Sequence, residues 1–455
     1  MLIGGCEMWA KVTRRTIAGL MVAAVVCAPT GCRQTGVCGK KMCSTGEVKI
    51  SKTALQDKIK GGWLGKTAGV CIGGPTEFQA KGRMFTGSLN LYPRMDGGFG
   101  QDDIYVQITF IEAMDRELND PDGIFAATME DYGEAFKNSG YELWHANKGG
   151  RDNLRKGIKP PQSGMWAGPP QGEVSPASAH AAGEAGPKAD AGNRFNKCAN
   201  DIDWQIECDW VGLMCPAMPM TAVQISDRVG HVMNYGDGVY GGHFVSVMIA
   251  LAFECNDVHK IVKQAIEAMP RKSQYYQLIK DVIDFHDKNP GDFKACWKFI
   301  NDKYIKTAVD CSGPADDFNI AASLNGAFIA IGLLYGDGDI LKTIEHTTRC
   351  GQDSDCNPAN AGAIIGTMLG YEKLPEQWKR DIEKYPSNKY SHTDYTYTDL
   401  INSSFKRAEK AILQSGGRLE NNNYLIKTQP ICQPKMLEQY GNDPVPNPDF
   451  KCKLP

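Results

Sequence analysis

The chain has 455 residues, with 50 Lys and Arg against 53 Asp and Glu and a formal net charge of −3. That near-balance gives no drive toward nucleic acid or an anionic membrane surface, so neither is expected as a partner. With 42% hydrophobic and 23% charged residues the composition is that of a globular protein, long enough for one large domain or two small ones.

The first element is a leader. Lys11, Arg14 and Arg15 form a basic region ahead of the apolar run 17–26, which is too short to span a bilayer as a mature helix. Residues 1–32 therefore read as a signal peptide to be excluded from the fold, with Met8 an alternative start. Thr13-Arg14-Arg15-Thr16-Ile17 is Tat-like, and Sec export is equally compatible. Ala28-Pro29-Thr30-Gly31-Cys32 is similar to a bacterial lipobox, so an exported protein is expected, periplasmic or a lipoprotein of the outer membrane or cell surface. Membrane attachment would then come only through lipid on Cys32. The alternative is a plain cleaved signal peptide with Cys32 incidental. Thirteen cysteines follow Cys32. Export permits disulfides, and Cys38–Cys43 and Cys432–Cys452 are candidate pairs, with connectivity left open. No Cys-x-x-Cys with paired His is present, so no structural zinc site is expected.

Residues 33–53 read as a tether, 54–415 as the main domain and 416–455 as a C-terminal extension. A helix is expected over 55–69, with Leu55, Ile59, Trp63 and Lys66 marking successive turns. Its glycines at 61, 62, 65 and 69 are poor helix formers and make sense where another helix or a ligand comes close. The loop Gly73-Gly74-Pro75-Thr76-Glu77 follows. An acid pair, Asp102-Asp103, comes after Gly97-Gly98-Phe99-Gly100-Gln101 and leads into a helix over 104–114; another helix is expected over 124–136. The Gly-, Pro-, Ala- and Ser-rich stretch 163–195 reads as a surface insertion within the domain. Residues 201–210 alternate acidic and aromatic side chains, as a helix with one wet face or as a pocket wall. His231 precedes a Gly-rich turn that contains Asn234, Tyr235 and Asp237. Backbone N–H groups there could cradle a phosphate or hydroxyl, but no Walker-type Lys-Ser/Thr follows, so a P-loop is not supported.

Residues 245–253 read as a buried helix. Val258, Ile261, Val262, Ala265, Ile266 and Met269 form an i, i+3, i+4 stripe. The Ala- and Gly-rich apolar runs 320–334 and 359–369 suit central helices packed at close range. Asp316-Asp317 reads as a helix N-terminus effect. Alternating β runs are scarce, so the pattern is mainly α.

The most informative stretch is Arg349-Cys350-Gly351-Gln352-Asp353-Ser354-Asp355-Cys356-Asn357-Pro358. It sets two carboxylates one residue apart in a tight loop, with Asn357 as N-cap and Pro358 as first helical position. Adjacent acids are costly to hold together without a positive charge between them. Two such pairs, Asp102-Asp103 and Asp353/Asp355, point to one divalent-cation site closed by the fold.

These motifs, in this order, resemble those of the ADP-ribosylglycohydrolases, which include the dinitrogenase reductase-activating glycohydrolases. The Asp-x-Asp loop feeding a small-residue helix matches 351–370, and the central Thr-Asp-Asp-Thr is echoed by Gln101-Asp102-Asp103-Ile104. The Gly-rich first helix and its loop Glu match 61–77, and the mid-chain His matches His231. The resemblance implies an all-α compact orthogonal helical bundle with two Mg²⁺ (or Mn²⁺) ions, which bind a ribose diol and a nucleophilic water while a glycosidic bond is hydrolysed. It further implies metal ligation by Asp102, Asp103, Asp353 and Asp355, with Gln101 and Cys356 at the two threonine positions. Glu77 becomes the catalytic acid or base, and His231 either contacts substrate or bonds a metal-binding Asp; Asn234, Tyr235 and Asp237 in the Gly-rich turn, with Gly351, are the other candidate substrate contacts. A thiol at 356 suits softer metals than Mg²⁺, so Cys356 either faces away or alters one metal site. The expected enzyme is a glycosidase acting on a small-molecule or glycan substrate, ADP-ribosyl or another sugar, as a monomer. Export fits an environmental glycoside or an exported toxin's product better than intracellular ADP-ribosylated proteins. The alternative, kept by Gln101 and Cys356, is a catalytically silent sugar-binding or structural relative.

Overall fold

The computed structural model describes residues 46–165, 196–308, 310–313, 317–434 and 437. The leader with Cys32, the insertion from 166 to 195, the cysteine pairs Cys38–Cys43 and Cys432–Cys452, and Asp316 lie wholly or partly outside the described residues. A short strand β1 (Glu47–Ser51) leads into α1 (Lys52–Gly73), α2 (Asp102–Glu117), α3 (Met129–Lys137), α4 (His145–Arg155), α5 (Asp203–Glu207), α6 (Asp209–Met214), α7 (Pro219–Gly230) and α8 (Asp237–Ala252). Then come α9 (Val258–Ala265), α10 (Gln274–Lys288), α11 (Phe293–Tyr304), α12 (Ala322–Gly336), α13 (Ile340–Arg349), α14 (Cys356–Leu369), α15 (Glu376–Ile382), α16 (Tyr397–Gln414) and strands β2 (Arg418–Glu420) and β3 (Asn423–Lys427). The class is all-α, as expected. None of these helices is long and apolar enough to cross a membrane.

Every residue of α8 and α12 is buried, and α14 is buried to its last turn. Helices apolar on all sides belong in the middle of a large domain. The decisive contact is between α1 and α14, which run antiparallel with backbone against backbone. A Cβ added at Gly61, Gly65, Gly69 or Gly73 would lie 2.4, 2.1, 2.2 or 2.0 Å from the carbonyl oxygens of Gly366, Gly362, Pro358 and Ser354 respectively. Those four positions are spaced by four residues and share one stripe of α1. The glycines that weaken α1 as an isolated helix are therefore what seats it.

The chain ends differ from the sequence reading. Residues 47–51 are not tether: β1 pairs antiparallel with β3, from Glu47↔Lys427 to Ser51↔Asn423, and β2 pairs with the other edge of β3. The domain thus extends beyond 54–415 at both sides, and the start of the C-terminal extension belongs to it. Alternation is real in β3, where Tyr424 and Ile426 are buried, but the strands are too short to stand out in the sequence. The helix expected over 124–136 is broken, because Thr128 forms a capping box with Asp131 and starts α3 afresh. The insertion is also shorter than expected, since Ser163, Gly164 and Met165 are buried in the domain.

Gly65→Ala is expected to destabilise the fold by about 1–3 kcal/mol, because the methyl must displace rigid backbone. Gly140→Ala, which meets nothing within 4 Å, should shift stability by only a few tenths. Denaturant midpoints of the two variants measured side by side check this.

Candidate active site

The contact between α1 and α14 brings two loops together. Gly351 and Gln352 have φ of +80° and +57°, and a Cβ on Gly351 would lie 2.3 Å from the Ala80 carbonyl, so only glycine fits there. Gln352 N–H donates to the Ala80 carbonyl (3.0 Å), and its carbonyl accepts from Phe78 N–H (3.1 Å). Its side chain accepts from Asn319 N–H (2.9 Å) and donates to the Asp317 carbonyl (2.7 Å). Thr76 and Ser354 share a hydroxyl hydrogen bond of 2.8 Å. The loop after α1 and the loop before α14 are thereby stitched into one unit. Asp355, not Asn357, caps α14, accepting from Cys356 N–H at 2.9 Å. Starting the helix at 356 places Asp355 at its mouth and Pro358 inside the first turn, where no N–H is needed.

Two groups of metal-capable atoms result, and they share one residue. Asp103, Asp355 and Cys356 form one, and Glu77, Asp353 and Asp355 the other; within each group the ligand atoms lie within 4.8 Å of one another. Glu77, Asp353 and Cys356 of these groups line a cavity of about 420 Å³, together with Gln101, Asp102, Trp144, His145, Asn147, Asp203 and Glu207. Asp353 Oδ1 is buried with no hydrogen-bond partner. Close carboxylates with an orphaned oxygen suit a hard divalent ion, so the residues present fit the implied metals. Asp102 lines the same cavity, and one of its oxygens accepts from Asp103 N–H (3.1 Å); it stands outside both groups.

The electrostatics follow. Burial, then Asp355 and Asp102, push Glu77 up to about 7. Burial likewise pushes Asp353 up to about 7 and holds Asp355 well above the usual carboxylate range, with Asp353 beside it adding to the effect. Burial keeps the Cys356 thiol protonated, and Cys356 Sγ donates to Asp103 Oδ2 at 3.5 Å. Cys356 therefore faces the acidic centre.

A family model described as ADP-ribosylglycohydrolase matches residues 51–411. The chain belongs to this family. Among solved structures, one described as an "ADP-ribosylglycohydrolase-related protein complex" is similar over 79% of this chain and 99% of its own, at 14% identity and a TM-score of 0.41. No curated protein matches the sequence. Membership in the ADP-ribosylglycohydrolase family supports a glycohydrolase function.

Four expected substrate contacts lie outside this candidate site. His231, Asn234, Tyr235 and Asp237 are buried and outside the cavity lining. His231 Nδ1 pairs with the Asp227 carbonyl at 2.6 Å. Asn234 accepts from Trp204 N–H and donates to the carbonyls of Ala199 and Asp201. Its amide is spent on fixing the segment that carries α5, which is why a polar Gly-rich turn resembled a binding loop. Tyr235 packs edge-on against His231, and Asp237 sits in the first turn of α8. Gly351 shapes the loop and is not part of this cavity's lining. The 201–210 segment does supply pocket wall, through Ile202, Asp203, Ile206 and Glu207, while its tryptophans are fully buried.

The sequence reading missed part of this lining. His145 has φ of +40°, an uncommon conformation for a non-glycine residue, and its Nδ1 lies 3.0 Å from Asp201 Oδ2. Ala146 and Asn147 N–H groups donate to the Asp203 carboxylate at 3.1 and 2.8 Å. A Cys198–Cys311 disulfide adjoins this pair. Trp144, 51% exposed, stands beside them. A lone Trp-His followed by a polar helix carries no spacing signal that marks it. Lys66, expected only as a helix turn, is fully buried with its Nζ 2.7 Å from Asp209 Oδ2 and 3.8 Å from Asp103 Oδ1. Burial opposes its charge, but Asp209 and Asp103 outweigh it and hold its pKa above the ordinary lysine value.

Folding raises the proton affinity of these carboxyls. Their contribution to stability is full below their unfolded values of about 4 and is lost as pH rises through the folded ones. For Glu77 and Asp353 that window ends at about 7. The metal-free protein should therefore show a urea midpoint that falls between about pH 4 and about pH 7, with a shallower fall in Asp353→Asn.

Proposed function

We propose that this chain is a metal-dependent glycosidase that hydrolyses an ADP-ribosyl or other glycosidic bond. The observation that supports it most is the pair of carboxylate groups joined through Asp355 beside a sugar-sized cavity. Asp103, Asp353 and Asp355, with Asp102 beside them, would hold two Mg²⁺ or Mn²⁺ ions. When bound, such ions lower the pKa of a water and clamp vicinal hydroxyls. Glu77 is exposed as a residue, but its carboxyl is partly desolvated beside Asp355 and Asp102 and so poised near neutral pH; it takes the proton of the attacking water. His145, held through Nδ1 by Asp201 and lining the same cavity, is the group assigned to the leaving group. Tyr105, Leu143 and Trp144 supply apolar wall against a sugar face. The basic and apolar leader supports an address outside the cytoplasm, as a periplasmic protein or a lipoprotein anchored through Cys32. Cys32→Ala should then move the protein from the membrane fraction to the soluble one.

A second reading is a sugar-binding relative without turnover. It rests on Cys356, whose protonated thiol occupies Asp103 Oδ2 and offers hard ions a poor ligand.

A released-sugar screen over ADP-ribosyl and simple glycosidic compounds separates the two. Divalent-dependent turnover is expected, and Asp355→Asn should abolish it with the metal-free fold intact. Glu77→Gln should lower kcat about 10²–10⁴-fold. Failure to bind divalent ions at millimolar concentration would instead favour the silent relative.

A further inference from the structure

Lys66 reaches the acidic centre from behind. It projects from α1 one residue beyond Gly65, where that helix lies against the backbone of α14. Its side chain is wholly buried, and it does not line the cavity. The ammonium makes three contacts: the Ile206 carbonyl at 2.7 Å, Asp209 Oδ2 at 2.7 Å and Asp103 Oδ1 at 3.8 Å. Asp209 is itself fixed, both carboxylate oxygens accepting from Asn360 Nδ2 of α14 at 3.1 Å. One cation thus ties α1, α2, α5, α6 and α14 together directly beneath the metal-capable residues.

We propose that Lys66 is a positioning residue of the metal centre: anchored by Asp209 and the Ile206 carbonyl, its charge 3.8 Å from Asp103 Oδ1 holds the Asp103 carboxylate in place beside Asp355 and Cys356. The proposal rests on the metal-dependent reading above. Partners behind a ligand set its orientation, and their loss weakens metal binding about 10–100-fold. Bare electrostatics predicts the opposite sign for Lys66. A buried cation repels an incoming divalent ion, so its removal alone would tighten binding.

The test uses the full chain and MnCl₂ as probe, with isothermal titration and the electron paramagnetic resonance of free Mn²⁺ as readouts. Lys66→Met alone strands Asp209, so the informative variant is Lys66→Met/Asp209→Asn. It removes one charge of each sign, leaves the net charge unchanged and is the change a buried ion pair tolerates best. The expected result is a Kd raised about 10–100-fold in the double variant, with circular dichroism showing a folded chain. A Kd within about twofold of wild type, with only the melting temperature lowered, would reduce Lys66 to a structural ion pair and overturn the proposal. A tighter Kd would overturn it too, leaving electrostatic repulsion as its effect. Wild-type protein that takes up no Mn²⁺ would overturn the metal reading itself, an outcome visible before any variant is compared.

Discussion

The close approach of α1 to α14 is the constraint on which the rest depends. Two helices with ordinary side chains pack with their axes about 8–10 Å apart. Here four glycine-bearing turns let carbonyl oxygens occupy the space of Cβ atoms. The approach leaves little freedom of sliding or rotation, since a slip of one residue would drive a side chain into backbone. Because α1 ends in the Glu77 loop and α14 begins at the Asp355 loop, the tight contact becomes a fixed distance between carboxylates. The glycines act at a distance from the chemistry but set its geometry.

That geometry carries a cost. Asp103, Asp353 and Asp355 are almost wholly removed from solvent, and their neighbours are other acids. Partial compensation comes from within the fold. Asp102 and Asp103 lie in the first turn of α2, and Asp355 caps α14, so both helices point their positive ends at the cluster. Lys66 supplies the one full positive charge paired with Asp103 among the described residues. What remains uncompensated appears as raised proton affinity, the physical signature of a site whose natural partner is a cation.

Legibility from sequence followed the physics of each signal. The central helices were readable because apolar periodicity and small residues leave local traces, and the two acid pairs because like charges set so close demand an explanation. The carboxylate part of the cavity was visible on those grounds. The part around His145 was not, since His145, Asp201 and Asp203 become neighbours only through the bridge that joins residues 201 and 321 and the start of α4. His231 and Asn234 misled for a related reason. A polar side chain beside a glycine turn looks the same in sequence whether it binds a ligand or satisfies buried backbone, and here the carbonyls of Ala199 and Asp201 took the amide. Lys66 hid in a helix repeat, where its length reads as surface until a partner from α6 is seen to lie beneath it.

The sheet formed by β1 and β3 adds a consequence in time. Its register joins residues 47–51 to 423–427, and α1 likewise waits for α14, which begins some 280 residues later in the chain. Neither contact can form on a ribosome until nearly the whole domain has been made. In the folded domain the glycine-rich stripe of α1 is covered by α14. Long-range closure of this kind slows folding and lengthens the exposure of unfinished chain. A domain whose first helix is completed by almost its last is one that matures after synthesis rather than during it.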